Sequence, residues 1–341
     1  MNQLFRITLD TNPEDCNLHC IMCEGHSEYS HFISNLKRET GISRRRMPVH
    51  WLDRIIAQAK DLGVTEIIPS TMGEPLLYSG FDALLELCEK YSLKLNLTTN
   101  GTFPKKSMQD WAKRLIPICS DIKISWNGST KETAEQVMKG ISFAKSIQNL
   151  KELIKYRDEY YSTNFYYCRI TLQLTFLQNN MQELKDIIQL AAILGVDRVK
   201  GHHLWTHFKE IENLSMKSNL QNRTKWNEYV TEAYQSANTY LKKDRTKVLL
   251  ENIFTFEENL VEKIPDHYKC PFLEKELWIS ATGKISPCCA PDLQRQNLGD
   301  FGNIESTSLS EVLESKVYRN LVMNYKEYPL CQNCNMRKPT L

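Results

Sequence analysis

The stretch CNLHCIMC, Cys16 to Cys23, places three cysteines within eight positions near the start of the 341-residue chain. With 11 cysteines in the whole sequence, the spacing C-x3-C-x2-C is expected by chance only about 0.01 times in a chain of this length. Three thiolates are one ligand short of either a tetrahedral zinc site or an iron–sulfur cube. The stretch therefore predicts a metal site with one open position, or a zinc site whose fourth ligand lies elsewhere in the sequence.

The composition is that of a globular protein. Hydrophobic residues make up 41% and charged residues 25% of the chain, and the net charge is +2. Such a balance favours neither nucleic acid nor a membrane surface as a partner. The sequence has no signal-peptide core and no uninterrupted apolar run of about 18 residues. We therefore expect a cytoplasmic protein whose reduced cysteines serve as metal or cluster ligands.

Segments of strand character alternate with amphipathic segments along the first three quarters of the chain. FRITLD, VTEIIP and LKLNLTT have strand character, and VHWLDRIIAQAKDLG carries apolar residues at helical spacing and stops at Gly63. Six such alternations predict an α/β fold with parallel strands joined by right-handed crossovers. In parallel barrels the reactive groups lie at the carboxyl ends of the strands.

Three short motifs follow the predicted strands. They are MGEP (72–75), TTNG (98–101) and ISWNGSTKETAEQVMKG (124–140). Together with the cysteine stretch they resemble the radical S-adenosylmethionine (SAM) family, in which C-x3-C-x2-C binds three irons of a [4Fe–4S] cluster and the fourth iron binds SAM. The resemblance covers about residues 1–255 and implies a partial (β/α)6 radical SAM barrel.

The resemblance also implies roles for individual residues. Cys16, Cys20 and Cys23 would bind the cluster, and Glu74 in the segment resembling the family's GGEP would pair with the SAM ammonium. An ordinary Gly-Pro turn is the alternative for that segment. The implied SAM contacts are Met22, Gly73, Glu74, Pro75, Asn100, Ser125, Asn127, Lys139 and Gln173. Relatives carry an arginine where this chain has Met138, and a lysine at the next position is not an equivalent donor.

A second cysteine set lies near the end of the chain, at Cys270, Cys288, Cys331 and Cys334. It surrounds WISATGKISPC, which predicts a hairpin, and SLSEVLESKVYRNLVMN, which predicts one amphipathic helix. The set resembles the twitch domain, a shortened SPASM domain with one auxiliary [4Fe–4S] cluster. We therefore expect a core in residues 1–255 and a small α+β twitch domain in residues 256–341. A structural zinc ribbon is the alternative.

Several residues near these motifs are candidates for catalysis. Cys289 follows a predicted cluster ligand and could donate hydrogen or act as a base, or it could be a spare thiol or exchange with Cys288 as ligand. GHHLWTH (201–207) brings His202 and His203 to the end of the sixth strand, where they could act on the substrate or merely lie at the surface. The run Arg44 to Arg46 is expected to be a solvated surface, with a phosphate-binding lid as the alternative.

The resemblance implies an enzyme that cleaves SAM and abstracts hydrogen from a carbon of a small biosynthetic substrate, oxidising it with the help of the auxiliary cluster. An epimerase with a cysteine hydrogen donor and a maturase of ribosomal peptides are alternatives, as is a cluster-carrying electron-transfer protein. The chain begins at the first strand, so we expect no N-terminal peptide-recognition module. The expected cofactors are SAM and two [4Fe–4S] clusters, and the expected partner is a flavodoxin- or ferredoxin-type electron donor.

Overall fold

The computed structural model describes residues 4–69, 72–256, 264–290, 292–334 and 336–338. Its strands are β1 (Arg6–Leu9), β2 (Glu66–Ile68), β3 (Lys94–Thr99), β4 (Cys119–Ser125), β5 (Arg169–Phe176), β6 (Arg198–His203), β7 (Leu249–Glu251), β8 (Glu276–Ile279) and β9 (Ile285–Ser286). Its α-helices are α1 (Phe32–Thr40), α2 (Val49–Asp61), α3 (Phe81–Lys90), α4 (Met108–Leu115), α5 (Lys131–Val137), α6 (Phe143–Asn164), α7 (Leu184–Leu194), α8 (Leu220–Thr239), α9 (Asp292–Arg295), α10 (Leu309–Glu314), α11 (Lys316–Asn324) and α12 (Pro329–Gln332). The first six strands fall in the segments for which the sequence predicts them.

Within the described ranges, these strands form one sheet in the order β7-β6-β5-β4-β3-β2-β1-β8-β9. Neighbouring strands from β7 through β1 to β8 pair in parallel, and β9 pairs with β8 in the antiparallel sense. The register aligns Ile7 with Ile67 and Ile67 with Leu95, so the apolar side chains share one face. The predicted α/β class with a parallel sheet is confirmed.

The two faces of the sheet differ sharply in chemistry. Alternate strand residues such as Ile7, Ile122 and Leu172 are fully buried against the helices, where Phe81 and Trp111 pack edge to face at 5.7 Å. The residues between them along each strand carry charged and polar side chains, which form hydrogen bonds with one another on the opposite, inner face of the sheet. We call this polar inner face the lumen. The helices therefore pack on the apolar face to form the core, and the polar lumen is the face on which a reaction site can form.

The C-terminal segment joins the same sheet rather than packing as a detached unit. β8 pairs with β1 from Arg6 opposite Glu276 to Leu9 opposite Ile279, and the hairpin turns at Gly283, whose φ is +81°. At the other edge, Lys338 Nζ donates to Asn252 Oδ1 just after β7 at 2.8 Å. Residues 257–263, beside the domain boundary that the sequence suggests, lie outside the described residues.

The prediction of a single amphipathic helix near the C-terminus is wrong in one respect. Two helices, α10 and α11, replace it, because Ser315 takes an extended conformation with ψ +148° and its hydroxyl accepts the backbone N–H of Tyr318. This capping bond begins a new helix and rotates its apolar face, which leaves Val317 43% exposed. Among the described residues, no helix is both long and apolar enough to cross a bilayer.

Candidate active site

The cysteine loop follows the carboxyl end of β1, as expected for a reactive group in a parallel barrel. The backbone N–H of Leu18 donates to the Cys16 sulfur, and that of Gly25 donates to Cys23. Burial raises the pKa of Cys16 to about 11 and also raises the pKa values of Cys20 and Cys23. Clustered, half-buried thiols that accept backbone hydrogen bonds fit an iron–sulfur site, which would hold them as thiolates.

The MGEP segment packs its backbone directly against the cysteine loop. Glu74 N donates to Asp15 O at 2.7 Å, and Asn12 Nδ2 donates to Glu74 O at 2.9 Å. Gly73 has φ +75°, and a Cβ added there would lie 2.3 Å from Asn12 O. The segment thus requires glycine at this position, both for its left-handed backbone and for the close approach of the loop.

The Glu74 carboxylate connects the ends of two strands. It is 1% exposed, and its Oε1 accepts the Thr99 hydroxyl at 2.8 Å and the Leu76 N–H at 3.2 Å. Its Oε2 accepts the backbone N–H of Asn100 at 2.7 Å. Burial raises the pKa of Glu74 to about 7. Both oxygens are therefore engaged within the protein, which fixes the segment after β2 to the end of β3.

Asn100 in turn connects β3 to the cysteine loop. Its Nδ2 donates to Asn17 Oδ1 at 2.8 Å and lies 3.8 Å from Cys16 Sγ. Its Oδ1 accepts the hydroxyl and the N–H of Thr102. The TTNG motif therefore positions a side-chain amide beside a predicted cluster ligand, and Pro75 begins the short 3-10 turn that supports this arrangement.

The loop after β4 is held by a residue that the sequence analysis missed. Glu183, just after β5, accepts Ser129 N at 2.6 Å, Ser129 Oγ at 2.9 Å and Thr130 Oγ1 at 2.9 Å. Asn127 Oδ1 accepts Thr175 N at 2.9 Å. These bonds fix the backbone between Ser125 and α5. A carboxylate following one strand could have been matched to the hydroxyls following its neighbour, since both lie at the same edge of the sheet.

The position of the family's arginine is apolar in this chain. Met138 is 1% exposed and packs in a cluster that includes Leu18 and Ile21 of the cysteine loop, with Met22 partly buried against it. Lys139 forms an ion pair with Glu28. The adjacent lysine therefore has a partner of its own in the cysteine loop, and the apolar side chain before it supports that loop from beneath.

The arginine run is solvent-exposed at Arg44 and Arg46, as expected, whereas Arg45 is largely buried, and all three side chains are paired with carboxylates. Arg45 Nη2 and Nε both donate to Glu14 Oε1, at 2.6 and 3.0 Å, and Arg44 and Arg46 each pair with Asp15 at 2.7 Å. Glu14 and Asp15 are buried immediately before Cys16. The run therefore fastens the segment after α1 to the cysteine loop.

His202 projects into the lumen at the end of β6. Gln173 Nε2 of β5 lies 3.4 Å from His202 Nδ1, and both side chains share the lumen face with Lys200. Surrounding protein and the nearby Lys200 lower the pKa of His202, so the imidazole is neutral at pH 7. A neutral imidazole that opens onto the lumen can accept a proton.

His203 faces the opposite way, and its predicted place beside the substrate is wrong. It packs between Phe176, Trp226 and Phe256, with ring centroids 5.3, 4.7 and 4.8 Å away. Burial lowers the pKa of His203 to about 3. Successive residues of a strand point to opposite faces, so one of the two adjacent histidines had to leave the lumen.

The C-terminal cysteines gather beside the amino end of β8. Leu273 N donates to Cys270 Sγ at 3.5 Å, and Ala290 N donates to Cys288 Sγ at 3.4 Å. The pKa of Cys270 is raised by burial and further by Cys288, and the pKa values of Cys331 and Cys334 are raised in the same way by burial and by neighbouring thiols. The four predicted ligands therefore lie together, and their backbone hydrogen bonds fit a cluster site as well.

Cys289 lies in the same group of thiols. Its S–H donates to Cys288, which lowers the pKa of Cys288 to about 7 and raises that of Cys289. Cys88, Cys119 and Cys168, in contrast, are fully buried in the apolar core. Within the described ranges, no three metal-ligating side chains close around the site of a single ion.

The two cysteine sets lie at opposite ends of the strands that they share. The cysteine loop leaves the carboxyl end of β1, which pairs in parallel with β8. Ser286 pairs with Trp278 as β9 runs back, so Cys288 lies level with the amino end of β8. The paired strands β1 and β8 therefore separate the two sets, with Arg6 and Glu276 at the end nearer to Cys288.

Comparison with known proteins agrees with this geometry. Residues 13–199 match the Radical SAM superfamily, and residues 270–335 match the SPASM iron–sulfur cluster-binding domain. No curated protein sequence matches significantly. Among solved structures, Streptococcus suis SuiB bound to S-adenosylmethionine superposes with TM-score 0.65 at 18% identity, over 94% of this chain and 68% of that one. Native anSMEcpe with bound AdoMet gives TM-score 0.64 at 15% identity, over 98% and 88%.

The superfamily match covers more than half of the chain and includes all three cysteines of the loop. The cluster-domain match begins at Cys270 and includes the other predicted ligands. These domains bring with them the cofactors that the sequence suggests, SAM and [4Fe–4S] clusters. The chain belongs to the radical SAM superfamily and carries a SPASM-type cluster-binding domain at its C-terminal end.

Proposed function

We propose that this protein is a radical SAM oxidoreductase that dehydrogenates a carbon of a small biosynthetic substrate held in the lumen. The observation that supports oxidation is the position of the two cysteine sets at opposite ends of the paired strands β1 and β8. When bound, SAM and the two clusters supply a 5′-deoxyadenosyl radical that removes a hydrogen atom and an acceptor for the electron that leaves next. The protein holds the substrate between these centres and keeps water away from it.

SAM would lie across the carboxyl ends of the strands, near the cysteine loop. The groups that could contact it there are Met22, Gly73, Pro75, Asn100, Ser125, Asn127 and Gln173. Because both oxygens of Glu74 already accept hydrogen bonds, we assign this residue to positioning Asn100 and the MGEP backbone rather than to a direct ion pair. Lys139 could contact SAM only by leaving Glu28.

His202 is the residue that we propose to receive the proton. Loss of an electron from a carbon radical makes the attached hydroxyl or carbon proton acidic, and a neutral imidazole in the lumen can accept it. His207 is the second candidate, although its Nδ1 lies 4.0 Å from Glu24 in the cysteine loop. His202→Gln keeps the contact with Gln173 and removes the base, so it should slow product formation without slowing substrate-free SAM cleavage.

The direct test is SAM cleavage under anaerobic conditions. With dithionite, the reconstituted protein should release 5′-deoxyadenosine slowly even without substrate. The Cys16→Ala, Cys20→Ala, Cys23→Ala variant should release none, although its C-terminal cysteines are intact. Equal release by the two proteins would exclude radical SAM chemistry and leave an electron-transfer or scaffold role.

Epimerisation is distinguished from oxidation by turnover in D2O. An inverted radical needs a hydrogen atom from the opposite face, and the Cys289 thiol, among the C-terminal thiols, is the candidate source. Oxidation should give a product two hydrogens lighter, with no deuterium at the attacked carbon and substantial activity in Cys289→Ala. One deuterium at unchanged oxidation level, abolished by Cys289→Ala, would identify an epimerase.

A peptide is the second candidate substrate. Structures similar to this chain include Streptococcus suis SuiB bound to the precursor peptide SuiA and anSMEcpe with a bound peptide. Both superpose over nearly the whole of this chain at 17–18% identity, which supports the fold and leaves the substrate open. Substrate-stimulated release of 5′-deoxyadenosine, measured with peptides and with small cyclitols or sugars, would separate the two substrate classes.

The electron donor that we propose is a flavodoxin- or ferredoxin-type protein in the cytoplasm. A cavity of about 520 Å³ opens beside Asn17, directly next to Cys16. Its lining includes Lys105, Lys106 and Lys145, together with hydroxyl and amide side chains. A basic surface this close to the cysteine loop is complementary to the acidic surfaces of such carriers.

A further inference from the structure

The lumen carries many charged side chains, and nearly all of them are neutralised by one another. Arg6 donates to Glu66 at 2.7 Å and to Glu276 at 2.5 Å. Arg198 pairs with Asp121 and, at 2.6 Å, with Glu251, which also accepts Lys200 at 3.0 Å. Each of these four carboxylates therefore contacts a cation, with Arg6 shared by Glu66 and Glu276 and Arg198 shared by Asp121 and Glu251.

Lys123 is the exception. It lies on the lumen face of β4 between Asp121 and Ser125, and its register partners Thr98 and Thr171 on the adjacent strands are uncharged. Among the described residues its ammonium makes neither an ion pair nor a hydrogen bond, whereas Arg6, Arg198 and Lys200 make both. Burial and the proximity of Lys200 lower the pKa of Lys123 to about 8.

Lys123 is half-buried, and an ammonium that is largely removed from water without a partner lowers the stability of a protein. Its removal from water is compensated only when an opposite charge or hydrogen-bond acceptors replace the lost water. Natural proteins keep such locally unfavourable groups mainly at functional sites. Here the group lies two positions before Ser125 along β4, on the same face as Gln173 and His202, and within electrostatic range of Arg6 and Glu66.

We propose that Lys123 binds a negatively charged group of the substrate, a carboxylate or a phosphate, within the lumen. This inference rests on the proposed function only in taking the lumen as the substrate site. Lys200 and Arg6 repel the ammonium, and the acidic groups that act on it, Asp121, Glu66 and Glu276, are already paired with Arg198 or Arg6. An arriving anion therefore meets one free cation and no free carboxylate among the described lumen residues named here.

Stability measurements test the first half of the inference. Lys123→Met fills the same space without the half-buried charge, so it should raise the unfolding temperature of the ligand-free, reconstituted protein by about 1–2 °C. Lys200→Met is the matched control, since it leaves Glu251 with one fewer partner and should lower the unfolding temperature. A lower unfolding temperature in both Lys123→Met and Lys123→Gln would mean that the ammonium is structural, which would overturn the proposal.

Oxoanions test the second half. Acetate and inorganic phosphate, titrated separately to 50 mM against sodium chloride of equal ionic strength, should raise the unfolding temperature of the wild type more than that of Lys123→Met. The anion with the larger difference identifies a carboxylate or a phosphate as the preferred group. Equal shifts in the two proteins would overturn the proposal. Release of 5′-deoxyadenosine by the wild type is scored separately, so failure of the proposed function is distinguishable from failure at Lys123.

Discussion

At the scale of single residues, the site depends on backbone contacts that a sequence motif only outlines. The glycine of MGEP is needed because the carbonyl oxygens of the cysteine loop occupy the space of a side chain. The glutamate of the same motif serves a different purpose from the one that its charge suggests. Its two oxygens accept hydrogen bonds from the end of β3 inside the protein. We therefore expect its removal to lower the stability of the fold.

Gly73→Ala should be much more damaging than the same change at Gly41. Both glycines have φ +75°, so an alanine costs about 1–2 kcal/mol at either position for the left-handed backbone alone. At Gly41 nothing lies within 4 Å of the added Cβ, whereas at Gly73 it would meet Asn12 O at 2.3 Å. We expect Gly73→Ala to lose at least about 2 kcal/mol more, with a lower iron content after reconstitution. Equal losses of unfolding free energy in urea for the two variants would show that the cysteine loop can move away from the added Cβ at little cost.

Glu74→Ala should destabilise the protein and weaken SAM binding together. It leaves the Thr99 hydroxyl and the Asn100 N–H buried without an acceptor, at about 1–3 kcal/mol for each. Loss of SAM affinity with unchanged stability would instead favour a direct ion pair with the SAM ammonium.

The pH dependence of this effect follows from the pKa of Glu74, which burial raises from 4.5 to about 7. A raised pKa means that the folded protein binds the proton more tightly than the unfolded chain does. The resulting stabilisation is complete below pH 4.5 and is lost as the pH rises through 7. The difference in unfolding free energy between wild type and Glu74→Ala, measured without metal, should therefore shrink between pH 5.5 and 7.5.

At the scale of secondary-structure elements, much of the fold could be predicted, because its strands and helices have clear periodicity. Strands β1, β2 and β3 lie within FRITLD, VTEIIP and LKLNLTT, and the helix after Pro48 ends at the residues before Gly63. The break at Ser315 could not be read from apolar spacing alone, since a serine that caps a new helix looks like any polar surface residue. In contrast, the placement of His202 and His203 on opposite faces follows from strand alternation and could have been predicted from the sequence.

The two cysteine sets should behave as independent cluster sites. Anaerobically reconstituted wild type should contain about eight iron atoms per chain, and the Cys16→Ala, Cys20→Ala, Cys23→Ala variant about four. The variant should retain a cluster absorption spectrum, because the C-terminal thiols are held by separate elements of the fold. Zinc in place of iron at the C-terminal set would contradict the auxiliary cluster and support a zinc ribbon.

At the scale of the whole molecule, the lumen was the least predictable feature. Its arginines, lysines and carboxylates are dispersed over six strands, and in the sequence each resembles an ordinary surface charge. Only the pairing of β8 with β1 brings Arg6 to Glu276, which is 270 positions away. The cysteine motifs, by comparison, are local patterns, so their function as metal or cluster ligands can be predicted from the sequence alone.

The basic cavity beside Asn17 should matter for a protein reductant and not for a small one. Lys105→Glu with Lys145→Glu should lower flavodoxin-driven SAM cleavage about tenfold at low salt and leave dithionite-driven cleavage intact. Lys151→Glu with Lys155→Glu, farther along α6, introduces the same charge away from the cavity and serves as the control. Equal loss in the two double variants would place the docking site elsewhere.

The pairing of β8 with β1 has a consequence for folding during synthesis on the ribosome. β1 is made first, yet one of its two edges stays unpaired until residues beyond 275 have been synthesised. An exposed edge of this kind readily recruits other chains, and contacts between distant parts of a sequence form slowly. A chain stopped after residue 255 would contain the whole superfamily match and still aggregate. Protection of this edge of β1 thus depends on a strand that lies about 270 residues later in the sequence.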